Sequence, residues 1–154
     1  MRPRRHRALG QEASCLNGSG VAQGLEEAVS VYLDTHVAVW LHDGLLSRLS
    51  AEAKRQIEAN DLLVSPMVLL ELQYLYERKR IGIAPASLYA TLHSSFDVGL
   101  CGFPFAAVAL EALSLDWSRD PFDRIIVAQA KANHDAVLLT ADTRIRSHYR
   151  RAVW

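Results

Sequence analysis

Short apolar runs alternate along the chain with longer segments in which apolar residues recur at helical spacing. The runs at residues 31–33, 62–64 and 137–140 predict buried strands, residues 98–100 predict a weaker one, and residues 152–153 suit an edge strand. The segments between them predict helices. Strands that alternate with helices indicate an α/β fold, with a central parallel sheet of four to five short strands covered by helices on both faces.

Capping residues and prolines mark the starts of the predicted helices. Ser50, Ser65 and Asp120 are N-cap candidates, and Pro66 and Pro121 occupy first helical positions, where a missing backbone N–H costs nothing. The predicted helices cover residues 36–42, 51–59, 66 to about 80, 85–95, 104–113, 121–133 and 143–149.

Composition separates residues 1–29 from the rest of the chain. A basic run at residues 2–7 is followed by a stretch with four glycines and few large apolar side chains. Such a segment can bury little surface, so we expect a disordered N-terminal extension and one domain at residues 30–154. A nucleic-acid-binding arm is an alternative for the extension. The arginines are not followed by the apolar region of a signal peptide.

Charge and cysteine content exclude several classes of protein. The chain has 17 basic and 17 acidic residues, so any binding of nucleic acid must come from a local patch. Cys15 and Cys101 suit neither a disulfide framework nor a zinc site, and Cys101 is expected to be a buried thiol. No apolar run approaches the roughly 20 residues that cross a membrane. We therefore expect a cytoplasmic protein without a membrane partner.

Four carboxylates lie at boundaries of the predicted elements. Asp34 and Asp142 follow two buried strands, Asp123 lies in the first turn of a helix, and Glu71 interrupts an apolar helix face. Sites of open α/β sheets form at the carboxyl ends of the strands, so Asp34 and Asp142 are expected at one edge. Acids against apolar elements are costly unless compensated. Hard divalent cations, which take oxygen ligands, are the usual compensation for several grouped acids.

Each acid except Glu71 also has a structural explanation. An aspartate at a helix start can be an N-cap or can meet the positive end of the helix dipole, which applies to Asp34, Asp120, Asp123 and Asp142. Arg124 and Arg144 are close in sequence and could be counter-charges. Glu71 has no basic residue three or four positions away, so a simple helical ion pair is excluded.

The sequence gives little support for a zinc site, a phosphate-binding loop or a nucleophilic serine. His36 has no second histidine or cysteine at ligand spacing, so zinc is not predicted, and the ring is expected to lie beside the site. The chain has no glycine-rich phosphate loop and no nucleophile elbow. A basic cluster near the end of the sequence consists of Arg144, Arg146, Arg150 and Arg151. It could contact phosphates, or it could be a solvated helix face, and both interpretations stay open.

Four motifs together resemble a known family. They are VYLDTH at residues 31–36 with Trp40, LVSP at residues 63–66 with Glu71, RDPFDR at residues 119–124, and LTAD at residues 139–142. In this order they resemble PIN-domain proteins and, more narrowly, the VapC-type toxins of bacterial type II toxin–antitoxin pairs. The resemblance spans about residues 30–154.

The resemblance implies a Mg²⁺- or Mn²⁺-dependent ribonuclease with a PIN-like fold. It implies that the catalytic and metal-holding residues are Asp34, Glu71, Asp123 and Asp142. Asp120 and Thr140 match further positions near the site. A homodimer is also implied, together with an antitoxin that inhibits by inserting a segment into the active-site groove.

RNA would be held by basic residues around this groove, and the candidates are Arg119, Arg124 and Arg144. Two other functions stay open: a PIN nuclease in RNA processing without an antitoxin, and a catalytically silent PIN-like binding module. The four retained acids argue against a silent module, since such a module has no need of them.

Overall fold

Five parallel strands form the centre of the computed structural model, which describes residues 29–154. The predicted extension at residues 1–29 falls almost wholly outside the described residues. The strands are β1 Ser30–Leu33, β2 Asp61–Val64, β3 Gly99–Leu100, β4 Val137–Leu139 and β5 Ala152–Val153. Their spatial order is β3-β2-β1-β4-β5, and every neighbouring pair is parallel. The predicted α/β fold with four to five strands is therefore confirmed.

Seven α-helices and one short 3₁₀ turn, Leu46–Arg48, flank the sheet in the described part of the chain. The helices are α1 Thr35–His42, α2 Ala51–Ala59, α3 Pro66–Glu77, α4 Pro85–Phe96, α5 Phe105–Ala112, α6 Pro121–Ala132 and α7 Thr143–His148. Within residues 29–154, no helix combines the length and apolar character needed to cross a bilayer.

The helix starts agree with the predicted caps, but one helix end does not. Ser50 and Ser65 accept hydrogen bonds from the backbone of their own helices, and Pro66 opens α3. The prediction that α3 reaches about residue 80 is wrong by a turn, because Lys79 adopts a left-handed conformation (φ 57°). Arg80 N then donates to Leu75 O, a bond that closes the helix end.

The core lies on both sides of β1 and β4. Tyr32, Leu33, Leu138 and Leu139 are completely buried, as expected for central parallel strands with both faces covered. Cys101 is a buried free thiol, as predicted, and its sulfur accepts a hydrogen bond from the Tyr32 hydroxyl.

Register determines which residues meet at the carboxyl edge of the sheet. Leu33 pairs with Leu139 and Tyr32 with Leu63. Continuing this register brings Thr140 and Ser65 level with Asp34, one on each side, on strands about 4.8 Å apart. The edge therefore carries a row of three buried polar side chains: Asp34, Thr140 and Ser65.

Candidate active site

Asp34 is the most deeply buried acid of the site, with 5% of its surface exposed. It ends β1 and is the N-cap of α1, so Oδ1 accepts from Thr35 N at 2.7 Å. Oδ2 accepts from the hydroxyl of buried Thr140 at 2.6 Å. Burial raises the pKa of Asp34, and the Thr140 hydrogen bond and the charge of His36 work against that rise. The predicted cap role is confirmed.

Thr140 joins two of the predicted acids. Besides donating to Asp34, its hydroxyl accepts from Asp142 N at 3.0 Å. Asp142 is exposed and caps α7, since its Oδ1 accepts from Arg144 N at 2.7 Å and from Ile145 N at 3.1 Å. Asp34 and Asp142 thus begin helices and also lie at one edge of the sheet.

Glu71 projects from α3 and is partly buried. Its carboxylate accepts a short hydrogen bond from Thr35 Oγ1, the residue that directly follows Asp34. Burial raises the pKa of Glu71, and the charges of Asp34 and Asp123 add to the rise. Among the ion pairs of the described residues none involves Glu71. The carboxylate therefore lies near the acids Asp34 and Asp123, and the charge of His36 acts against their effect on its pKa.

Asp123 lies in the first turn of α6, after the N-cap Asp120, which accepts from Phe122 N at 2.8 Å. Burial, followed by the charges of Asp120, Asp34 and Asp142, raises the pKa of Asp123 to about 6. A long hydrogen bond of 3.4 Å from Ser118 Oγ opposes this rise. Asp120 is exposed and acts as a cap that also adds negative charge, in agreement with its predicted place beside the site.

The four predicted acids lie within reach of one another's charges. The pKa of Asp34 is raised in part by Asp142, and that of Glu71 by Asp34 and Asp123. In the described residues no arginine or lysine pairs with any of the four. Arg124 and Arg144 therefore do not form ion pairs with these acids.

The donor set suits a hard divalent cation, which prefers carboxylate oxygen. In residues 29–154, however, no three His, Cys, Asp or Glu side chains are close enough to form a closed metal cage. The carboxylates make hydrogen bonds with other groups of the protein: Asp34 accepts from Thr140, Glu71 from Thr35, and Asp142 from the backbone of its own helix. Mg²⁺ binds through one or two carboxylates and keeps several waters, so a closed cage is not required.

The remaining predicted residues lie around the acids. His36 is exposed on α1 with its ring centroid 6.1 Å from that of Trp40, and its charge lowers the pKa of both Asp34 and Glu71. It therefore lies near these two acids, and its role beside a catalytic site stays a prediction. Arg119 is exposed in the segment before α6.

Arg124 and Arg144 both hold the same loop. Arg124 Nε donates to Ser118 O at 2.7 Å, and Arg144 donates a short hydrogen bond to Trp117 O while its guanidinium lies over the Trp117 ring. The next residue of this loop, Ser118, is completely buried and contacts Asp123. Both arginines thus help to place the loop against the acids.

Sequence reasoning missed two hydroxyl residues. Thr35 binds Glu71, and Ser118 binds Asp123 and accepts from Asp120 N. Thr35 could have been noticed, because it directly follows Asp34 at the end of a strand. The sequence around Ser118 does not indicate this contact, because its loop becomes part of the site only through the packing of α6.

Comparison with known proteins agrees with this geometry. Residues 31–151 match the PIN domain family. The chain is 37% identical over 121 residues to ribonuclease VapC22 of Mycobacterium tuberculosis, a match that covers 77% of this chain and 92% of that protein.

Two solved structures share the fold. A VapBC2 structure from Rickettsia felis, bound to a DNA fragment from their promoter, aligns with a TM-score of 0.56 at 17% identity, covering 80% of this chain and 96% of that chain. A DNA-bound VapBC structure from Salmonella typhimurium aligns with a TM-score of 0.56 at 16% identity, covering 79% and 92%. With its acids at the carboxyl edge of a five-stranded parallel sheet, the chain belongs to the PIN-domain family, among the VapC-type proteins.

Proposed function

We propose that the protein is a Mg²⁺- or Mn²⁺-dependent endoribonuclease that acts as the toxin of a toxin–antitoxin pair. One observation carries the proposal: the charges of neighbouring acids, Asp142 among them, raise the pKa values of Asp34, Glu71 and Asp123 in a site with no paired basic side chain among the described residues. The similarity to ribonuclease VapC22 supports RNA as the substrate.

The four acids would hold the cation, which supplies an activated water and offsets charge on the phosphate. Thr140 and Thr35 keep the carboxylates of Asp34 and Glu71 in place by donating to one oxygen of each. In the site without a cation, burial and the neighbouring acids raise the pKa of Asp123 to about 6, and binding of the cation would displace the proton that this carboxyl holds at lower pH. Arg119 is the candidate for a direct phosphate contact, whereas Arg124 and Arg144 have a second role in holding the loop.

The acid site also explains why RNA binding should depend on the cation. Four carboxylates repel the phosphate backbone, and the net charge of the whole chain is zero. Neutralising the carboxylates removes this repulsion and strengthens the effect of the nearby arginines. We therefore expect RNA affinity to rise when the cation is added.

A circular single-stranded RNA tests the nuclease directly, because only an endonuclease can open it. The wild-type protein should linearise it with Mg²⁺ or Mn²⁺ and stop in EDTA. Asp34→Asn should remove the activity. The matched control is Asp61→Asn, an exposed aspartate at the start of β2, the opposite end of the sheet from the site. Full activity in EDTA would exclude the metal mechanism, and an intact circle under every condition would support a silent binding module.

The toxin role requires a partner antitoxin, and the structural neighbours from Rickettsia felis and Salmonella typhimurium are VapBC assemblies. Expression of this chain in the cytoplasm should arrest growth, and co-expression of the small protein encoded beside it should relieve the arrest. A chain that cleaves RNA in vitro but is harmless at high expression would instead be an RNA-processing nuclease without an antitoxin.

A homodimer is part of the same proposal. On α5 and at its C-terminal cap, Leu110 and Leu113 expose 70% and 75% of their surface, which is unfavourable for a monomer. Sedimentation of the wild-type protein and of Leu110→Glu tests this assembly. We expect a dimer for the former and a shift toward monomer for the latter.

A further inference from the structure

A cavity of about 360 Å³ opens beside the candidate active site, between α3, α6 and the segment after β3. This volume is typical of a small-ligand site. Its walls are apolar and aromatic, and they consist of Met67, Leu70, Phe103, Phe105 and Ile125. Its polar lining comes from Ser65 and Gln129, which are 0% and 3% exposed.

Ser65 places this cavity next to the acids. The register of β1 and β2 brings Ser65 level with Asp34, on strands about 4.8 Å apart. Both residues follow their strands directly, and side chains at the same level of neighbouring strands point to the same face of the sheet. A nucleotide adjoining a phosphate at Asp34 can therefore reach the cavity.

Gln129 presents unused hydrogen-bond donors to the cavity. Ser65 Oγ accepts from Met67 N at 3.1 Å, so its own proton is free to bond Gln129 Oε1 at 2.5 Å. This bond assigns the amide orientation and leaves the Nε2 group of Gln129 without a protein acceptor in residues 29–154. Gln129 Nε2 is not among the fully buried polar atoms that lack a partner, so water reaches it. An apolar group that filled the cavity would remove this water without replacing its hydrogen bond, at a cost comparable to a lost hydrogen bond.

We infer that this cavity binds one unpaired base of the RNA, next to the cleaved bond, and selects it through Gln129. This inference rests on the proposed ribonuclease function. Flat apolar walls with Phe105 at the rim suit a base that leaves the single strand and stacks on an aromatic ring. An aliphatic side chain from a second protein would fill the walls but leave the Gln129 amide unpaired, so the base is the better occupant.

The chemistry of the amide predicts which bases bind. Two N–H donors favour a base edge with a carbonyl acceptor, as in guanine, uracil or cytosine. Adenine can accept from one N–H at a ring nitrogen such as N7, but the N6 amino donor beside that nitrogen finds no acceptor on Gln129, because Oε1 is already bonded to Ser65. Selection against adenine should therefore appear at one nucleotide position and not along the whole substrate.

Binding and cleavage should be measured separately. Short fluorescent single-stranded RNAs that differ at one base are titrated with Asp34→Asn protein in Mg²⁺, so that binding is read by anisotropy without cleavage. In that background, Gln129→Met keeps the size of the side chain and removes the amide. Phe105→Ala truncates a residue that is 64% exposed, so its fold is not at risk. Tyr76→Ala, which truncates an exposed aromatic residue of α3 outside the cavity lining, is the matched control.

We expect the parent protein to disfavour adenine at a single position. Gln129→Met should remove this preference, Phe105→Ala should weaken binding of every base by about tenfold at that position, and Tyr76→Ala should do neither. Cleavage by proteins that retain Asp34 should show the same preference beside the cleaved bond.

The other outcomes are equally decisive. An unchanged base profile in both cavity variants overturns the inference, as does a Phe105→Ala variant altered only in sedimentation, which would assign the cavity to a second copy of the chain. If Gln129→Met does not fold, the RNA binding of Phe105→Ala tests the inference by itself. Base-selective binding without any cleavage would support the base-binding cavity and contradict the proposed ribonuclease activity. No binding of RNA by either Asp34→Asn or the wild-type protein would reject both.

Discussion

Replacement of Asp123 by asparagine should stabilise the protein, and only above the pH at which the carboxyl ionises. Burial and the neighbouring acids raise the pKa of Asp123 from 3.8 to about 6. An acid whose pKa is higher in the folded state binds its proton more tightly there. The free energy of unfolding therefore falls as pH rises from about 4 to about 6. At higher pH it stays at this lower value.

The magnitude follows from the same pKa. A rise from 3.8 to about 6 corresponds to about 3 kcal/mol, at about 1.4 kcal/mol per pH unit. Asp123 is only partly buried, so solvent screening reduces this to about 1.5 kcal/mol. Asparagine also loses a favourable interaction with the N-terminus of α6, about 0.5 kcal/mol. The net gain at pH 8 is about 1 kcal/mol, or roughly 4 °C in Tm, and close to zero at pH 4.

Urea unfolding in EDTA at pH 4 and pH 8 measures this difference, because EDTA keeps divalent cations from offsetting the repulsion. Asp61→Asn, an exposed aspartate far from the acids, is the control and should show no such pH dependence. A variant that is stabilised equally at both pH values, or destabilised at pH 8, would refute the electrostatic reasoning and leave Asp123 as a helix-start residue alone.

Three further predictions concern the same site and its boundaries. In Asp34→Asn, added Mg²⁺ should raise the Tm much less than in the wild-type protein, since a ligand stabilises only the state that binds it; an equal rise would place the cation elsewhere. Thr140→Val should lower the free energy of unfolding by about 2 kcal/mol, because a buried carboxylate loses its donor. It should also move the acidic limb of the pH–activity profile to higher pH, because the pKa of Asp34 would rise further, whereas Thr140→Ser should retain both properties. A chain that begins at Val29 should fold, bind Mg²⁺ and cleave RNA like the full chain; loss of RNA binding would give residues 1–28 the role of a nucleic-acid-binding arm.

Local patterns in the sequence were sufficient for the elements and for many of their ends. The strands alternate with amphipathic helices because each must bury an apolar face, and this requirement appears directly as periodicity. Five N-caps could be predicted because their side chains satisfy backbone donors one to three residues away: Ser50, Ser65, Asp34, Asp120 and Asp142. The end of α3 was missed, because a left-handed lysine such as Lys79 has no distinct sequence signal.

The sequence indicated directly that the aspartates cap helices, but not that they lie close together. Each cap explains one helix start, and a cap needs nothing beyond its own turn. The grouping of Asp34 with Asp142 depends on β4 lying beside β1, a pairing between segments about a hundred residues apart. The four motifs suggested this grouping through a family resemblance, whereas the physical cause is the crossover that places the two carboxyl ends at one edge.

The sequence by itself determined the strands, the helix starts and the identity of the candidate acids, since all of these depend on near neighbours along the chain. Only the tertiary structure decided what each polar group contacts: Thr35 with Glu71, Ser118 with Asp123, and Arg124 and Arg144 with backbone carbonyls instead of carboxylates. It also formed the cavity at Gln129, whose walls come from three separate parts of the chain. Such contacts result from packing between distant segments, and packing leaves no periodic signal in any one of them.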